Sequence, residues 1–154
     1  MKFRKKYKEE IKFMVMMSLS ILLGSILTIG MLFFMFGDLQ YRLAENKASN
    51  DDMPTMVSKV CSRQSSFRYQ VECVRDYWYT DFDYEEHFGF RLPKEMYDKG
   101  GVCRDYAVAL CSTYKRMGFN CDYVFSVTDH VFVSVGNDEE FCIVNWNYAD
   151  CWRN

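Results

Sequence analysis

From Phe13 to Phe36 the chain runs for 24 residues without one charged side chain, "FMVMMSLSILLGSILTIGMLFFMF". Wound as a helix at 1.5 Å per residue, this run reaches about 36 Å, while a hydrocarbon core is about 30 Å thick. It is expected to cross a bilayer with some tilt. The apolar core of a signal peptide is shorter, about 7–15 residues, and no small-residue cleavage signal follows Phe36. The expectation is a permanent single-pass signal-anchor. Ser20 and Gly24 add a small-xxx-small spacing within it, too common to argue for helix pairing on its own.

The flanks set an orientation. Lys2, Arg4, Lys5, Lys6, Lys8 and Lys12 precede the run, and "GDLQ" follows it without a basic residue. The positive-inside rule then keeps residues 1–12 in the cytoplasm and carries the rest across the cell membrane. Beyond the anchor, thirteen basic residues face nineteen acidic ones, a net charge of −6. An acidic domain makes a poor nucleic-acid binder, so no such partner is expected.

The chain holds seven cysteines: Cys61, Cys73, Cys103, Cys111, Cys121, Cys142 and Cys151. In an oxidising compartment an odd number points to six that pair and one kept as a thiol. Six cysteines allow fifteen pairings, and a local pair such as Cys61–Cys73 is one guess among them. The alternative, that most stay reduced and simply pack, is equally open on sequence.

Residues 37–55, "GDLQYRLAENKASNDDMPT", are polar without apolar periodicity and contain a proline, as a stalk or short amphipathic lead-in would. The folded domain is assigned to 56–154, about 100 residues, enough for one core. Met56 to Tyr79 reads as two helical pieces interrupted near "SRQSS", and "TDFDYEEHFGFRLP" as a loop. Asp81, Asp83 and Glu85 imitate the start of a calcium loop. However, Glu86 stands where that loop needs glycine and Leu92 where it needs glutamate, so calcium is rejected. Neither CxxC nor close Cys/His spacing supports zinc. No metal or cofactor is expected.

The stretch "GGVCRDYAVALC" (Gly100–Cys111) carries the chemistry. Cys103, Ala107, Leu110, Tyr114 and Met117 fall on one helical stripe, and Gly118 followed by Phe119 supplies a C-terminal stop. A helix of about four turns thus opens at Cys103, which faces the core side. Three strands follow, "CDYVFSV" (121–127), "HVFVSV" (130–135) and "FCIVNWN" (141–147). They are separated by the turns "TD" and "GNDEE" and predict an antiparallel sheet against the helix, an α+β fold. With Asn137-Asp138 as a two-residue turn, Gly136 pairs Glu139, Val131 pairs Val144, Phe132 pairs Ile143 and His130 pairs Asn145. A symmetric four-residue loop keeps that register, and an odd loop would part the last two.

A cysteine, a histidine and a carboxamide so placed have a chemical use. Only the thiolate attacks a carbonyl, and a free thiol titrates near 8.5; a helix N-terminus and a neighbouring imidazolium both favour the thiolate. The imidazole needs a partner on its other nitrogen to fix its tautomer, and an amide oxygen serves. Backbone N–H groups at the helix start can receive the oxyanion. Each residue alone has a blander use. Cys103 could be core, His130 a packed strand residue and Asn145 a turn-former. His87 is expected in solvent, and Trp78, Trp146 and Trp152 in packing, with Trp78 or a neighbouring tyrosine as a possible cleft wall. Asp105 favours the helix dipole and could tie down the preceding loop.

"GGVCRDYAVAL", "DHVFVSV" and "FCIVNWN" together resemble the core of the transglutaminase-like superfamily, a branch of the papain-like cysteine enzymes. There a Gly-x-Cys-x-Asp-x-Ala pattern opens a helix, a histidine begins a strand and an aspartate ends the next. The resemblance covers Met56 to Asn147. It implies Cys103 as nucleophile, His130 as base and Asn145 as the orienting residue. Asn145 stands where that family usually has Asp, although papain-like enzymes use Asn in this role. The implied activity is that of a membrane-anchored cysteine peptidase or amidase, or a transglutaminase-type acyltransferase, acting on a protein or peptide. A non-catalytic binding module on the same fold, and a disulfide-stapled ectodomain without it, are the competing readings. The state of the Cys103 thiol separates the first two.

Overall fold

One helix accounts for the first third of the chain in the computed structural model. It describes residues 2–80, 82–126 and 130–153, with backbone alone for 2–13 and 33–35. Helix α1 (Lys2–Ala48) has 47 residues, and the chain divides into two compact units, Met1–Leu39 and Gln40–Asn154.

The first unit is helix alone. Its described side chains from Met14 to Leu32 lie exposed, and an 18-residue window within Met14–Ala48 reaches a mean hydropathy of 2.3, so the helix is long and apolar enough to cross a membrane. Its hydroxyls are compatible with lipid. Ser18, Ser20, Ser25 and Thr28 each donate to a carbonyl four residues back, at 2.8–3.0 Å, so each of the four has an acceptor within the helix.

The second unit contains the end of α1, then α2 (Asp52–Cys61), α3 (Phe67–Thr80), α4 (Pro93–Lys99), α5 (Cys103–Arg116), β1 (Asn120–Phe125), β2 (Val131–Gly136), β3 (Glu140–Val144) and β4 (Ala149–Arg153). The strands form one antiparallel sheet in the order β1-β2-β3-β4. Helix α5 is its axis. Every residue from Asp105 to Tyr114 is buried, because α2, α3 and α4 cover the sides that β1 and β2 do not. The sheet presents Val131, Val133 and Val135 from β2 and Val144 from β3 to the same core, the alternation that a half-buried strand dictates. Polar groups inside are matched: Trp78 Nε1 donates to Thr113 Oγ1 at 3.1 Å, and the Tyr114 hydroxyl donates to Val71 O at 2.9 Å.

The helix ends as its sequence requires. Gly118 takes φ +86°; its N–H bonds Lys115 O, and Phe119 N–H reaches back to Tyr114 O, the paired bonds of a Schellman stop.

Several expectations need correction. Of the two readings of residues 37–55, the structure shows the amphipathic lead-in and not the stalk. The helix continues through them to Ala48, Ala44 and Ala48 are buried, and Arg116 bonds the carbonyls of Ala48, Ser49 and Asp51. Asp51 then caps α2 through a bond from Met53 N–H. Helix α4 and strand β4 were not read from the sequence at all. The 120s strand is observed to Phe125; Val127 and the "TD" turn lie outside the described residues, as does Asp81.

The β2–β3 register also differs. Gly136 pairs Phe141 and Val133 pairs Val144, so the turn is centred on Asp138-Glu139. Asn137 occupies the corner before it, its Oδ1 accepting from Glu139 and Glu140 N–H at 2.9 and 2.8 Å. That is the Asx geometry asparagine favours. The shift is two residues, so each side chain stays on its expected face.

Disulfides join Cys61–Cys73, Cys111–Cys121 and Cys142–Cys151, leaving Cys103 as the free thiol. Together with the N-terminal apolar helix they suggest the secretory pathway or a membrane. The Cys111–Cys121 bridge ties the end of α5 to β1 across a separation of 10 residues. Replacing both with alanine should cost about 2–3 kcal/mol. The expected result is a lower melting temperature for the full chain in detergent, followed by near-ultraviolet circular dichroism.

Candidate active site

The loop before α5 explains why that helix opens with two glycines. The chain from Asp83 to Arg91 folds over them: Tyr84 bridges Gly101, Gly101 N–H donates to Asp83 O, and Glu85 N–H to Gly101 O, both at 2.9 Å. A Cβ on Gly100, whose φ is +76°, would lie 2.5 Å from Asp83 O. On Gly101 it would stand 2.8 Å from Met96 Cγ and 3.0 Å from Asp105 Oδ2. Only glycine admits both approaches.

Beneath this loop sits the wholly buried carboxylate of Asp105. Its Oδ2 accepts from Val102 N–H at 2.9 Å and its Oδ1 from Arg91 N–H at 2.8 Å. His87 Nε2 lies 2.6 Å from Oδ2, and since a carboxylate only accepts, the imidazole donates. A buried carboxylate without donors is costly, and here three converge on it. Asp105 thus ties the loop as the sequence suggested. His87 is the correction: its side chain is only 12% exposed, not solvated. Arg104 holds the same loop by donating to the carbonyls of His87 and Gly89. Arg91 pairs Glu85 and also reaches Lys99 O and Gly100 O; that hydrogen bond holds the Glu85 carboxyl below its ordinary range.

Cys103 is the first residue of α5, half-buried. At the start of α5 the N–H groups of Asp105 and Tyr106 already donate to Val102 O, so the first-turn donors left without an intrahelical acceptor are those of Cys103 and Arg104. Beside it opens a cleft of about 780 Å³, lined by Cys103, His130, Tyr79, Thr80, Phe82, Tyr84, Tyr106 and Trp146. The thiol and the imidazole therefore share one cavity.

Asn145 completes the arrangement by a route the expected register did not give. It is not directly opposite His130 but diagonal to it, at the β3–β4 turn closed by Asn145 N–H to Tyr148 O. Because the register shift is even, both side chains keep one face, and His130 Nε2 lies 3.0 Å from Asn145 Oδ1. Trp146 N–H donates to the same Oδ1 at 2.8 Å. A backbone N–H must meet oxygen, so the amide is oriented with its oxygen inward, and His130 Nε2 must be the donor. The neutral imidazole then keeps its lone pair on Nδ1, free to take a proton.

Trp78 does not reach the cleft and belongs to the core. Its neighbour Tyr79 lines the cavity instead, and Trp146, expected in packing, is 40% exposed there. Tyr106 forms part of the lining with its ring while its hydroxyl donates to Arg75 O at 2.9 Å; burial pushes that phenol well above its ordinary value. Among the described residues no group of three His, Cys, Asp or Glu could hold a metal ion.

This tautomer assignment is open to direct measurement. Nitrogen-15 chemical shifts of His130 should show the proton on Nε2 in the neutral form. Asn145→Ala should release it to a mixture of tautomers, and Asn145→Asp should retain it. An Nδ1-protonated ring in the unaltered protein would contradict the assignment.

No family model matches the chain, and no curated protein or solved structure matches it either.

Proposed function

We propose that the protein is a membrane-anchored cysteine acyl-transfer enzyme of transglutaminase-like, papain-like type, acting on an amide carbonyl of a protein or peptide. One observation carries the reading. The chain's free thiol, placed at a helix N-terminus, shares a cleft with an imidazole whose tautomer is fixed by a carboxamide.

In this mechanism His130 Nδ1 takes the Cys103 proton, and the sulfur attacks the carbonyl carbon. The N–H groups of Cys103 and Arg104 at the start of α5 stabilise the tetrahedral oxyanion. The C–N bond then breaks, and His130 returns the proton to the leaving amine. Water resolves the thioester in a peptidase or amidase; a primary amine resolves it in a cross-linking transferase. Asn145 holds the imidazole in the productive orientation throughout and does not itself transfer a proton.

The membrane placement belongs to the same proposal. The basic residues before the apolar helix keep the N-terminus cytoplasmic, and the domain from Gln40 onward lies on the other side, where disulfides persist.

Iodoacetamide labelling of the full chain in detergent tests the pairing, because the other six cysteines are bridged. At pH 7, His130→Ala should slow alkylation of Cys103 by about tenfold or more, since a thiol titrating at about 8.5 without a partner is only a few per cent thiolate there. Equal rates with and without the histidine, or a Cys103 that labels only after reduction, would exclude the enzyme and leave a binding module.

A further inference from the structure

The cleft that holds Cys103 and His130 is walled by rings. Tyr79 and Thr80 come from the end of α3, Phe82 and Tyr84 from the loop after it, Tyr106 from α5, and Trp146 from the β3–β4 turn. Three of these rings are far from buried: Tyr84 is 67%, Tyr79 43% and Trp146 40% exposed. They are not needed to close the core, which Trp78, Tyr114 and the valines already fill. Tyr79 and Trp146 stand together with centroids 5.9 Å apart, and Phe82 meets Tyr106 edge-on at 5.4 Å. The cavity therefore has two aromatic pairs, with Tyr84 as a further ring.

Among the described residues the lining carries little charge: apart from Cys103 and His130, those that face the cavity include neither Asp, Glu, Lys nor Arg. A charged substrate side chain set against these rings would lose water without an opposite charge from them, which is unfavourable. A neutral aromatic or bulky apolar side chain would gain by burial and by ring–ring contact.

The backbone places this wall next to the reaction. Tyr84 bridges Gly101, two residues before the thiol, so its ring is registered to Cys103 by hydrogen-bonded main chain and not by a flexible connection. The part of a substrate nearest the attacked carbonyl is the part that meets it.

We infer that the cleft selects substrates whose acyl residue carries a neutral aromatic or bulky apolar side chain, with Tyr84 and Trp146 as specificity-determining residues. This inference rests on the acyl-transfer reading of the same site. It goes further by naming what the site accepts and what it rejects.

The test uses four reagents on the full chain in detergent: the chloromethyl ketones of N-acetyl-phenylalanine, N-acetyl-glycine, N-acetyl-aspartate and N-acetyl-lysine. In each, the Cys103 sulfur displaces chloride, forming a C–S bond as the C–Cl bond breaks. Mass spectrometry at Cys103 gives the second-order rate, and iodoacetamide serves as the reagent without a side chain. The phenylalanine reagent should exceed the glycine reagent by about 10- to 100-fold, the range that burial of one aromatic side chain gives. The aspartate and lysine reagents should fall at or below glycine.

Tyr84→Ala and Trp146→Ala should each shrink the phenylalanine-to-glycine ratio by about fivefold or more. Phe88→Ala removes a fully exposed ring outside this cleft and should keep the ratio. A flat series combined with His130-dependent iodoacetamide labelling would overturn the specificity and leave the enzyme standing, and a preference for lysine or aspartate would do the same. A phenylalanine preference without histidine dependence would support the aromatic site and remove the catalytic reading. A Cys103 that reacts with no reagent would overturn both.

Discussion

The Asp105 carboxylate is the interaction on which the candidate site depends. It lies at zero exposure, and the three donors that make this tolerable come from three places in the sequence: Val102 at the helix cap, Arg91 in the preceding loop, and His87 further upstream. Each bond removes a freedom the cleft could not have. The first fixes where α5 begins, and therefore where Cys103 points. The other two bring the loop across the paired glycines and hold Phe82 and Tyr84 as a wall. One buried charge thus positions both the Cys103 thiol and the aromatic wall of the cleft.

The second positioning device is on the sheet. Asn145 is held at the β3–β4 corner by its own backbone bond to Tyr148 and by the Trp146 N–H on its side-chain oxygen. A carboxamide can be turned either way at little cost, so an orienting asparagine needs an anchor that an aspartate would not. Trp146 supplies it with its main chain while its ring faces the cleft. The asparagine that stands where the transglutaminase-like resemblance implies an aspartate is thus anchored locally, within one residue.

Helix α5 and the shared face of His130 and Asn145 were legible in the sequence because both follow from periodicity. The stripe from Cys103 to Met117 and the Gly118 stop specify a helix, and strand parity survives any even shift of register. The register itself was misread, since asparagine suits a turn corner as well as a turn centre, and only the bonds from Glu139 and Glu140 decide between them. His87 was invisible for another reason. Its partner lies 18 residues away, and a loop of acids and aromatics has no period that announces a buried contact. The segment before Asp51 stayed open between a stalk and an amphipathic lead-in because alanines buried on one turn, Ala44 and Ala48, leave too faint a stripe among polar neighbours. Strand β4 is short, and its inward side is only a buried alanine, Ala149, and a half-buried cysteine, Cys151, too small a pair to mark a strand in the sequence.

The central claim is that Cys103 and His130 act together on a carbonyl, and acylation by p-nitrophenyl acetate tests it most directly. The account predicts that the intact protein gains one acetyl group on Cys103, removable by hydroxylamine as a thioester is, and that His130→Ala acylates far more slowly. Acetyl groups found on lysines alone, or a Cys103 that acylates equally fast without the histidine, would contradict it.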